Sequence, residues 1–425
     1  MQKRATTEAI DAIWDVAVIG GGPAGMMAAG QAASRGARVV LLEKNDQLGK
    51  KLLITGGGRC NVTNAESDNK KLLAKFKESG KYLFSPFSQW SVQETLDFFH
   101  EKQMPTKVEA EQRVFPLSNK SQSVWDTLVA FLKDSGVTVI SNAPVIKLHA
   151  KNNLVSSAEL RKGRQIHAKN FILATGGTSH PETGSTGDGY VWLRELGHTV
   201  SEASAALVPI ALREPAKNAS GVALSNVKIT LFQNEVKQGQ RVGKMLFTHV
   251  GMSGPAILNM SRDIGELLKY GQLFIEIDLL PEMGYEVVNE KLQQMFALHA
   301  NKKVKNALPD LVPTALTPLL FERAEIDPET PCNSVTRDAR IRLMKILKHL
   351  RFEAKGLLGM NKAVITAGGV SLDEVDLKTM RSLKVENLFL VGDILNVDRP
   401  SGGYSLQLCW TTGYVAGVAA SGKQD

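Results

Sequence analysis

The sequence is poor in cysteine, and its three cysteines, Cys60, Cys332 and Cys409, lie far apart. They form neither a CxxC pair nor a zinc-ligand spacing, so we expect no disulfide framework and no metal site, and a reducing compartment is favoured. The first residues, MQKRATTEAIDAIW, lack the apolar core of a signal peptide. Glycine and proline interrupt every long apolar stretch, which argues against membrane spans. The sequence therefore predicts a cytoplasmic protein.

Acidic residues are fewer than basic ones, 43 against 51, which gives the 425-residue chain a net charge of +8. This balance is compatible with a polyanionic partner such as nucleic acid, and equally with a protein that binds only a phosphate-bearing cofactor. The hydrophobic share of 43% is that of an ordinary globular protein. At about 100–200 residues per domain, the length predicts two to three domains.

A dinucleotide-binding pattern occupies residues 14–44, WDVAVIGGGPAGMMAAGQAASRGARVVLLEK. A buried-strand run is followed by Gly20, Gly22 and Gly25, a helix rich in alanine, and a second strand that ends at Glu43. Gly20 permits a tight turn, Gly22 lets the backbone approach a pyrophosphate, and Gly25 lets the helix pack on the strand. Glu43 is placed to accept hydrogen bonds from ribose hydroxyls. Because an acid there disfavours a 2′-phosphate, FAD or NAD is favoured over NADP.

Further glycine clusters favour FAD. The strand FILATGG (171–177) and the loop TGSTGDGY (183–190) come first, and VENLFLVGDI (385–394) ends in an acid, Asp393, suited to ribityl hydroxyls. Gly402 and Gly403 then open a helix of small residues, whose N-terminus is suited to the negative charge of a reduced flavin. A site assembled from both ends of the chain is typical of flavoproteins with two dinucleotide folds.

The stretch TGGGRCN (55–61) follows the second strand, and its glycines at 56–58 suggest close approach to the cofactor. Arg59 is suited to offset phosphate or reduced-flavin charge, and Asn61 to bond the cofactor or cap the next turn. Two interpretations of Cys60 stay open. It is either a general acid, with its thiol pKa lowered beside Arg59, or a small apolar wall of the flavin pocket.

The middle of the chain changes character twice. Helices are expected at 91–103 and 121–135 and a strand at 137–141, followed by alternating strands that predict an inserted barrel or sandwich. We place a discontinuous FAD domain at 1–195 and 355–425. A β-rich substrate domain is placed at 196–281, and a helical subdomain at 282–354.

Five ordered motifs extend over nearly the whole chain: LGKKLLITGGGRCNVTN, ATGGTSHPETGSTGDGY, MLFTHVGMSGPAIL, AVITAGGVSLDEVD and LFLVGDILNVDRPSGGYSLQLCWTTGYVAG. With these, the chain resembles the BaiN/YhiN-like family of FAD-dependent oxidoreductases, which includes aminoacetone-oxidase-like flavoproteins and a ribosomal RNA dihydrouridine synthase. The resemblance implies a Rossmann-like α/β fold with two insertions and tightly bound FAD. The chain departs from the family at Asp393, where a glutamate is frequent, and at Arg399–Pro400, which leaves the substrate open.

The motifs and the resemblance together predict the cofactor-binding residues. They are Gly20, Gly22, Pro23, Ala24, Gly25, Glu43, Lys44, Lys51, Gly57, Gly58, Arg59, Cys60, Asn61, Val145, Ala174, Thr175, Gly176, Gly392, Asp393, Ser401, Gly402, Gly403 and Tyr404. Val145, expected beside the adenine, rests on the resemblance alone.

Two features outside the dinucleotide motifs are candidates for catalysis and for partner binding. His249 is either a proton donor at the flavin face or a histidine that holds a turn. The segment 337–356 has seven basic and two acidic residues. It is either a handle for ribosomal RNA or a solvated helix face.

Three hypotheses of function follow. The first is a reductase in which transiently bound NAD(P)H reduces FAD and a hydride then passes to a conjugated C=C bond; the resemblance makes a ribosomal RNA uridine the best candidate substrate. The second is a flavin oxidase or dehydrogenase of a small amine or amino acid. The third is a non-catalytic flavoprotein sensor. The sequence has no redox-active CxxxxC and no second GxGxxG with a partner acid, which argues against a disulfide reductase and a dedicated nicotinamide domain.

Overall fold

A computed structural model describes residues 13–359 and 365–422, without the side chains of residues 202–206 and 365–367. The N-terminal stretch examined for a signal peptide and the start of AVITAGGVSLDEVD lie largely outside these ranges. In the described residues no helix combines the length and the apolar character needed to cross a bilayer.

The strands in chain order are β1 Trp14–Ile19, β2 Val39–Leu42, β3 Thr63–Asn64, β4 Thr106–Glu109, β5 Arg113–Pro116, β6 Thr138–Ile140, β7 Val145–Lys151, β8 Leu154–Leu160, β9 Gln165–Ile166, β10 Ala168–Leu173, β11 Val200–Ala206, β12 Ile210–Leu212, β13 Ala223–Gln233, β14 Val236–Thr248, β15 Gly251–Ser253, β16 Phe274–Asp278, β17 Leu350–Leu357, β18 Ile365–Val370, β19 Val375–Asp376, β20 Arg381–Ser382 and β21 Leu388–Leu390. The α-helices are α1 Pro23–Ser34, α2 Lys50–Ile54, α3 Asn69–Ala74, α4 Phe84–Gln89, α5 Val92–Glu101, α6 Ser121–Asp134, α7 Asp188–Glu195, α8 Pro255–Leu267, α9 Tyr285–Leu298, α10 Val304–Ala307, α11 Thr317–Ala324, α12 Arg337–Lys348 and α13 Tyr404–Ala420.

The first compact unit, residues 1–205 with 364–425, is built on a seven-stranded sheet in the order β19-β20-β21-β10-β1-β2-β6. The strands from β21 to β6 run parallel. β1 and β2 are buried along nearly all their length, as their continuous apolar sequences require of central parallel strands. Consequently the carboxyl ends of four neighbouring strands, β21, β10, β1 and β2, meet at one edge of the sheet.

Helices α1 and α13 cross closely because small residues line both. A Cβ added at Gly413 would lie 2.6 Å from the Ala24 carbonyl oxygen, and one at Gly417 would lie 2.5 Å from that of Ala28. Side chains at these positions would force the helices apart. The C-terminal helix is thereby fixed against the first helix, and the two ends of the chain meet as the sequence predicts.

The second unit, residues 206–363, contains a closed barrel in the order β12-β15-β14-β13-β16-β17, and helices α8 to α12. Alternate residues of its strands, such as Ile229, Leu231, Ile275 and Ile277, are fully or almost fully buried inside. The intervening residues face outward, as the two-residue period of a strand requires. This unit has its own apolar core.

The expected division into three parts differs from the two compact units. The boundaries of the units fall at 205/206 and 363/364, whereas we placed them at 195/196, 281/282 and 354/355. Within the segment 337–356, the helix ends at Lys348, and Leu350–Leu357 forms β17, which pairs with β12 and β16. The helical structure expected up to residue 354 therefore ends at Lys348, because alternating apolar residues of β17 complete the barrel.

Candidate functional site

A large cleft lies in the first unit where the parallel strands end. It has about 1200 Å³ of empty space, including its open mouth, and its wall contains the last or following residues of β1, β2, β10 and β21. Ligands of open α/β sheets bind in this position, outside the carboxyl ends of the strands. Twelve predicted residues line the cleft: Gly20, Gly22, Pro23, Ala24, Glu43, Lys44, Lys51, Val145, Ala174, Thr175, Gly176 and Asp393.

The three fingerprint glycines have different surroundings. Gly20 has a φ of +107°, and a Cβ there would lie 2.5 Å from the Ala174 carbonyl oxygen. A Cβ on Gly25 would lie 1.9 Å from the carbonyl oxygen of Gly20. Gly22 is the N-cap of α1 and has no atom within 4 Å of its added Cβ. Gly20 and Gly25 therefore close the turn, whereas the space beside Gly22 is open to a ligand at the positive end of the helix.

Glu43, directly after β2, is held by the backbone around it. One carboxylate oxygen accepts a hydrogen bond of 2.8 Å from the Gly21 amide, and the other accepts one of 2.7 Å from the Asn45 amide. An ionised carboxylate has about four lone-pair sites, so two such bonds orient the group and leave sites for ribose hydroxyls. The side chain is buried at the rim of the cleft.

Asp393, after β21, is paired with two cations. Lys51 Nζ lies 3.3 Å from one carboxylate oxygen and 2.6 Å from Ser179 Oγ, and the Arg399 guanidinium donates to the other oxygen. Burial alone would raise the pKa of Asp393, but Arg399 and Lys51 outweigh it and hold that pKa below its usual value. The carboxylate is thus fixed in its ionised form beside the cleft.

Arg399 is the residue at which the chain departs from the related family, and its side chain is fully buried. Its guanidinium also donates to Ser405 Oγ at 2.9 Å and to the Val397 carbonyl oxygen at 2.8 Å. With Lys51, it gives the cluster around Asp393 a net positive charge. The sequence identifies Arg399 as a departure from the family it resembles, but does not predict this ion pair.

The opposite wall carries Lys44 and the loop before α7. Lys44 Nζ donates to Asp188 Oδ2 at 2.7 Å and to Thr186 Oγ1 at 2.5 Å. On a neighbouring wall, the buried Thr175 Oγ1 has no hydrogen-bond partner in the described part of the chain. This oxygen faces the start of α7, since a Cβ added at Gly189 would lie 2.2 Å from it.

The residues of the cleft fit FAD. The open helix N-terminus at Gly22 is suited to the pyrophosphate, the oriented Glu43 to the adenosine ribose, and the ionised Asp393 to the ribityl hydroxyls. Ala143 and Val145 supply an apolar part of the wall.

The remaining predicted cofactor residues do not line the cleft: Gly25, Gly57, Gly58, Arg59, Cys60, Asn61, Gly392, Ser401, Gly402, Gly403 and Tyr404. Several of them join the two ends of the chain. A Cβ on Gly403 would lie 2.2 Å from the Thr63 carbonyl carbon, and Asn64 Nδ2 donates to the Gly402 carbonyl at 3.2 Å. In the structure Gly402 and Gly403 pack the start of α13 against β3.

Cys60 is fully buried in the apolar core of the first unit. Burial raises the pKa of its thiol to about 12, with a small opposing effect from the hydrogen bond to Thr55. Of the two interpretations left open by the sequence, the general acid with a lowered thiol pKa is contradicted by this direction of the pKa shift. The Arg59 guanidinium points elsewhere, since it pairs with Glu109, bonds Asn119 Oδ1 at 2.6 Å and lies 4.1 Å from the centre of the Phe115 ring.

The glycines at 56–58 are exposed and have φ values of +56°, +66° and +84°. Added Cβ atoms at Gly57 and Gly58 would meet nothing within 4 Å. The run therefore serves a left-handed backbone path, which glycine adopts without strain. The close approach to a neighbouring atom that the sequence suggests is therefore not the reason for glycine at positions 57 and 58 in this structure.

Three positions of α13 that the sequence interpretation omitted line the cleft: Leu406, and the pair Ser405 and Cys409. Residues four apart on a helix lie on the same face, so the two belong together, whereas the predicted Tyr404 packs edge-on against Phe76 in the core. Burial raises the pKa of the Cys409 thiol to about 12. The four-residue spacing of Ser405 and Cys409 is the sequence pattern that could have indicated this face of α13. The loop residues Gly184–Asp188, noted as a polar loop only, also contribute.

His249 lies in the second unit, in the turn between β14 and β15. Its side chain is exposed, and Nδ1 lies 3.1 Å from Ser220 Oγ. Gly254, with a φ of +92°, precedes α8 a few residues further along the chain. A role of His249 in catalysis stays a prediction.

Much of the predicted basic handle is engaged within the unit. Lys348 is buried and pairs with Asp278 at 2.8 Å, and Arg351 pairs with Glu235 at 2.7 Å. Arg342 donates to the Ala324 carbonyl at 2.9 Å, and Arg340 donates to Asn289 Oδ1 at 3.1 Å. Three basic side chains of the segment have no such partner among the described residues and are exposed: Arg337, Lys345 and Lys355.

Comparison with models of protein families shows to which family this chain belongs. The model of the HI0933-like protein Rossmann domain matches residues 14–419. The chain belongs to the HI0933-like family. This membership confirms the resemblance stated above and the predicted class of enzyme, an FAD-dependent oxidoreductase.

Curated relatives align with almost the whole length of this HI0933-like protein. A 3-dehydro-bile acid delta(4,6)-reductase of Clostridium scindens is 32% identical over 96% of this chain and 98% of its own. A ribosomal RNA dihydrouridine synthase of Haemophilus influenzae is 30% identical over 95% of this chain and 98% of its own. The Escherichia coli protein of that name is 29% identical over 94% of this chain and 96% of its own.

Solved structures share the fold at low identity. A flavocytochrome c3 fumarate reductase has a TM-score of 0.55 at 17% identity, over 98% of this chain and 80% of its own. The 3-ketosteroid-Δ4-(5α)-dehydrogenase of Rhodococcus jostii has a TM-score of 0.53 at 14% identity, over 99% of both chains. The predicted Rossmann-like α/β fold class is confirmed.

Proposed function

We propose that this protein reduces a C=C bond conjugated to a carbonyl group, and that its substrate is a uridine of ribosomal RNA in the cytoplasm. Two relatives named as ribosomal RNA dihydrouridine synthases, matched over nearly their whole length, are the observation that carries this proposal. The third relative is named as a reductase of an unsaturated 3-dehydro bile acid. Both names describe reduction of a ring C=C conjugated to a carbonyl, so the proposed chemistry is common to them.

The chain's own residues bind and orient the cofactor in this proposal. The first turn of α1 beside Gly22 holds the pyrophosphate, Glu43 the ribose, and Asp393 the ribityl chain. FAD, when bound, supplies hydride transfer, and NAD(P)H is the proposed transient reductant. The net positive charge of Lys51 and Arg399 around Asp393 favours anionic groups in the cleft. Reduction of uracil places a hydride on C6 and a proton on C5. A proton donor is therefore required.

Anaerobic reoxidation of the reduced holoenzyme tests the proposal. Protein whose flavin has been reduced with NADPH is mixed with unmodified ribosomal RNA, and the flavin absorbance is followed. Reoxidation that depends on RNA, with dihydrouridine found in the product by mass spectrometry, is expected. Reoxidation by neither RNA nor another conjugated carbonyl compound would contradict the proposed reductase.

A small-molecule enone is the second candidate substrate, since the bile acid reductase is 32% identical over nearly the full length. The same assay with a 3-oxo-4,6-diene steroid in place of RNA distinguishes the two. An amine-dependent production of peroxide in air would instead support the oxidase hypothesis.

A further inference from the structure

A second cleft lies on the outward face of the barrel, wholly within the second unit. It has about 850 Å³ of empty space and is lined by residues of β13, β14 and β16, by His349 just before β17, and by residues at the ends of α9 and α12. The strand register sets Lys228 opposite Asp278, and Thr230 opposite both Gln240 and Glu276. These residues alternate with the buried interior residues, so the polar set shares the outward face.

The acidic groups of this cleft are already paired. Asp278, which is 4% exposed, lies 2.8 Å from Lys348 Nζ and 3.5 Å from Lys228 Nζ. Glu276 accepts from His349 Nδ1 at 2.8 Å. Lys348 is itself buried, and its ammonium also donates to two carbonyl oxygens, those of Leu280 and Met283. Carboxylate and buried lysine thus satisfy each other at the floor of the cleft.

Donors therefore exceed acceptors at the mouth. Lys237 Nζ has an amide oxygen as its partner, that of Gln240 at 2.6 Å, and Lys228 shares its carboxylate with Lys348. Among lysines and carboxylates alone, three of the former against two of the latter leave the lining with a formal charge of +1. Because Gln240 lies opposite Thr230, two residues along the strand from Lys228, both ammonium groups border one stretch of the cleft. An anion is the ligand that this arrangement favours.

An aromatic side chain completes the mouth. Tyr285 stacks on His349, with ring centres 5.7 Å apart and planes inclined by 25°, and its hydroxyl contacts His349 Nε2. The residue is 48% exposed, so part of its ring is accessible from outside. An accessible aromatic ring beside ammonium groups is the arrangement with which proteins hold a base and its phosphate.

We propose that this cleft is a second ligand site that binds a nucleotide, with its phosphate at Lys228 and Lys237 and its base on Tyr285. The same chemistry is offered by a free nucleotide and by a strand of RNA, and the site does not depend on the reaction proposed for the first cleft. If the ligand is RNA, the second cleft would hold one nucleotide of the strand in the unit that contains the barrel.

Binding measurements with three probes test this site: inorganic phosphate, UMP and a labelled single-stranded RNA. Holoenzyme carrying Lys228→Ala and Lys237→Ala is compared with wild type and with a matched variant, Lys217→Ala with Lys269→Ala. Both control lysines are exposed in the same unit and lie outside the cleft. All four substitutions are at exposed or half-exposed positions, and thermal melting verifies that each variant folds.

The cleft variant is expected to bind UMP and RNA at least about tenfold more weakly, while the matched variant binds as wild type does. Tyr285→Ala is expected to weaken the binding of UMP and RNA but not the binding of inorganic phosphate. If wild type binds RNA and not UMP, and the cleft variant loses RNA, the strand is the source of the nucleotide.

Three results would overturn the site: wild type that binds none of the probes, a cleft variant that binds them all as wild type does, or an equal loss in the matched variant. None of these outcomes concerns flavin reoxidation. Failure of the second site and failure of the proposed reductase are therefore separate results.

Discussion

At the scale of single residues, Asp393 shows how a buried charge is stabilised beside a ligand cleft. Its carboxylate accepts from Arg399, whose side chain is fully buried, and from Lys51. Removing one member of a buried pair leaves an uncompensated charge, which costs about 3–5 kcal/mol. The free energy of unfolding should therefore depend on this pair even where no ligand is bound.

Asp393→Asn is expected to lower the free energy of unfolding by about 3–5 kcal/mol, because it strands the Arg399 guanidinium in the interior. The double variant Asp393→Asn with Arg399→Met removes both charges and should recover most of that loss. Denaturant unfolding of the apoprotein measures both. Equal losses in the single and the double variant would contradict the account.

The pH dependence follows from the direction of the same pKa. The folded state holds the pKa of Asp393 below its ordinary value of 3.8, so the folded form stays ionised to lower pH than the unfolded chain. The stabilisation is therefore fully present above about pH 4 and is lost as the pH falls below that value. Asp393→Asn should flatten the decline of unfolding free energy in this acid range.

Cys60 is the residue at which sequence and structure differ most. The sequence leaves two roles open, a general acid beside Arg59 or a small apolar wall of the flavin pocket. In the structure Arg59 pairs with Glu109, and the Cys60 thiol is in the core with its pKa raised to about 12. In the folded protein a thiol reagent should modify neither Cys60 nor Cys332, which are buried and do not line the cleft, and unfolding should expose both. Mass spectrometry after labelling counts them.

Cys60→Ala should retain bound FAD and turnover within about twofold, with a modest loss of stability of about 1 kcal/mol. The structural reason is that the side chain fills core space and does not line the cleft. A variant that keeps its flavin and loses its turnover would instead support the general-acid interpretation.

At the scale of elements, the turn from β1 into α1 separates folding from ligand binding. Gly25→Ala would bring a methyl group to 1.9 Å from a carbonyl oxygen, whereas Gly22→Ala meets no atom within 4 Å. We expect Gly25→Ala to cost about 1–3 kcal/mol of stability through overpacking. Gly22→Ala should melt as wild type does but bind FAD at least about tenfold more weakly, because the methyl group enters the pyrophosphate space.

Flavin fluorescence on titration and thermal melting of the apoprotein measure the two effects separately. Gly22→Ala protein that binds FAD with wild-type affinity would show that the pyrophosphate does not lie at this helix end. Gly25→Ala protein that melts as wild type does would show that the turn relaxes without cost.

Helix α12 with β17 gives a prediction about RNA. The three basic residues without an internal partner among the described residues, Arg337, Lys345 and Lys355, are the ones free to bind phosphate. Replacing all three by alanine should weaken binding of single-stranded RNA and reduce the slope of log K against log salt by about 0.7 for each phosphate that is no longer neutralised. Fluorescence anisotropy at several salt concentrations measures the slope. An unchanged slope would show that this segment is a solvated face.

The elements themselves were largely predictable. Continuous apolar runs predict β1 and the glycine spacing predicts α1, because both depend on neighbours in sequence. The ion pair of Asp393 with Arg399, the partner of Arg59 and the burial of Cys60 depend on contacts between distant segments, which local patterns do not contain. The helical subdomain expected at 282–354 includes residues of β17 for the same reason, since closure of the barrel decides that strand.

At the scale of the whole molecule, two compact units carry two clefts of different character. The first cleft lies at the ends of parallel strands, and the cluster of Asp393 with Lys51 and Arg399 beside it has a net positive charge. The second cleft has acidic side chains that are paired, with lysines and a tyrosine at its mouth. The net charge of +8 suits a polyanionic substrate, and the internal pairing of Arg340, Arg342, Lys348 and Arg351 shows that this count overstates the charge available on the surface.

The central claim is that this oxidoreductase reduces a uridine of ribosomal RNA. Mass spectrometry of ribosomal RNA from a strain that lacks the gene tests it most directly. The account predicts that one nucleotide loses its two-hydrogen mass increment, that the wild-type gene restores it, and that Gly22→Ala, which folds but binds FAD weakly, does not. Ribosomal RNA of identical mass with and without the gene would contradict the claim.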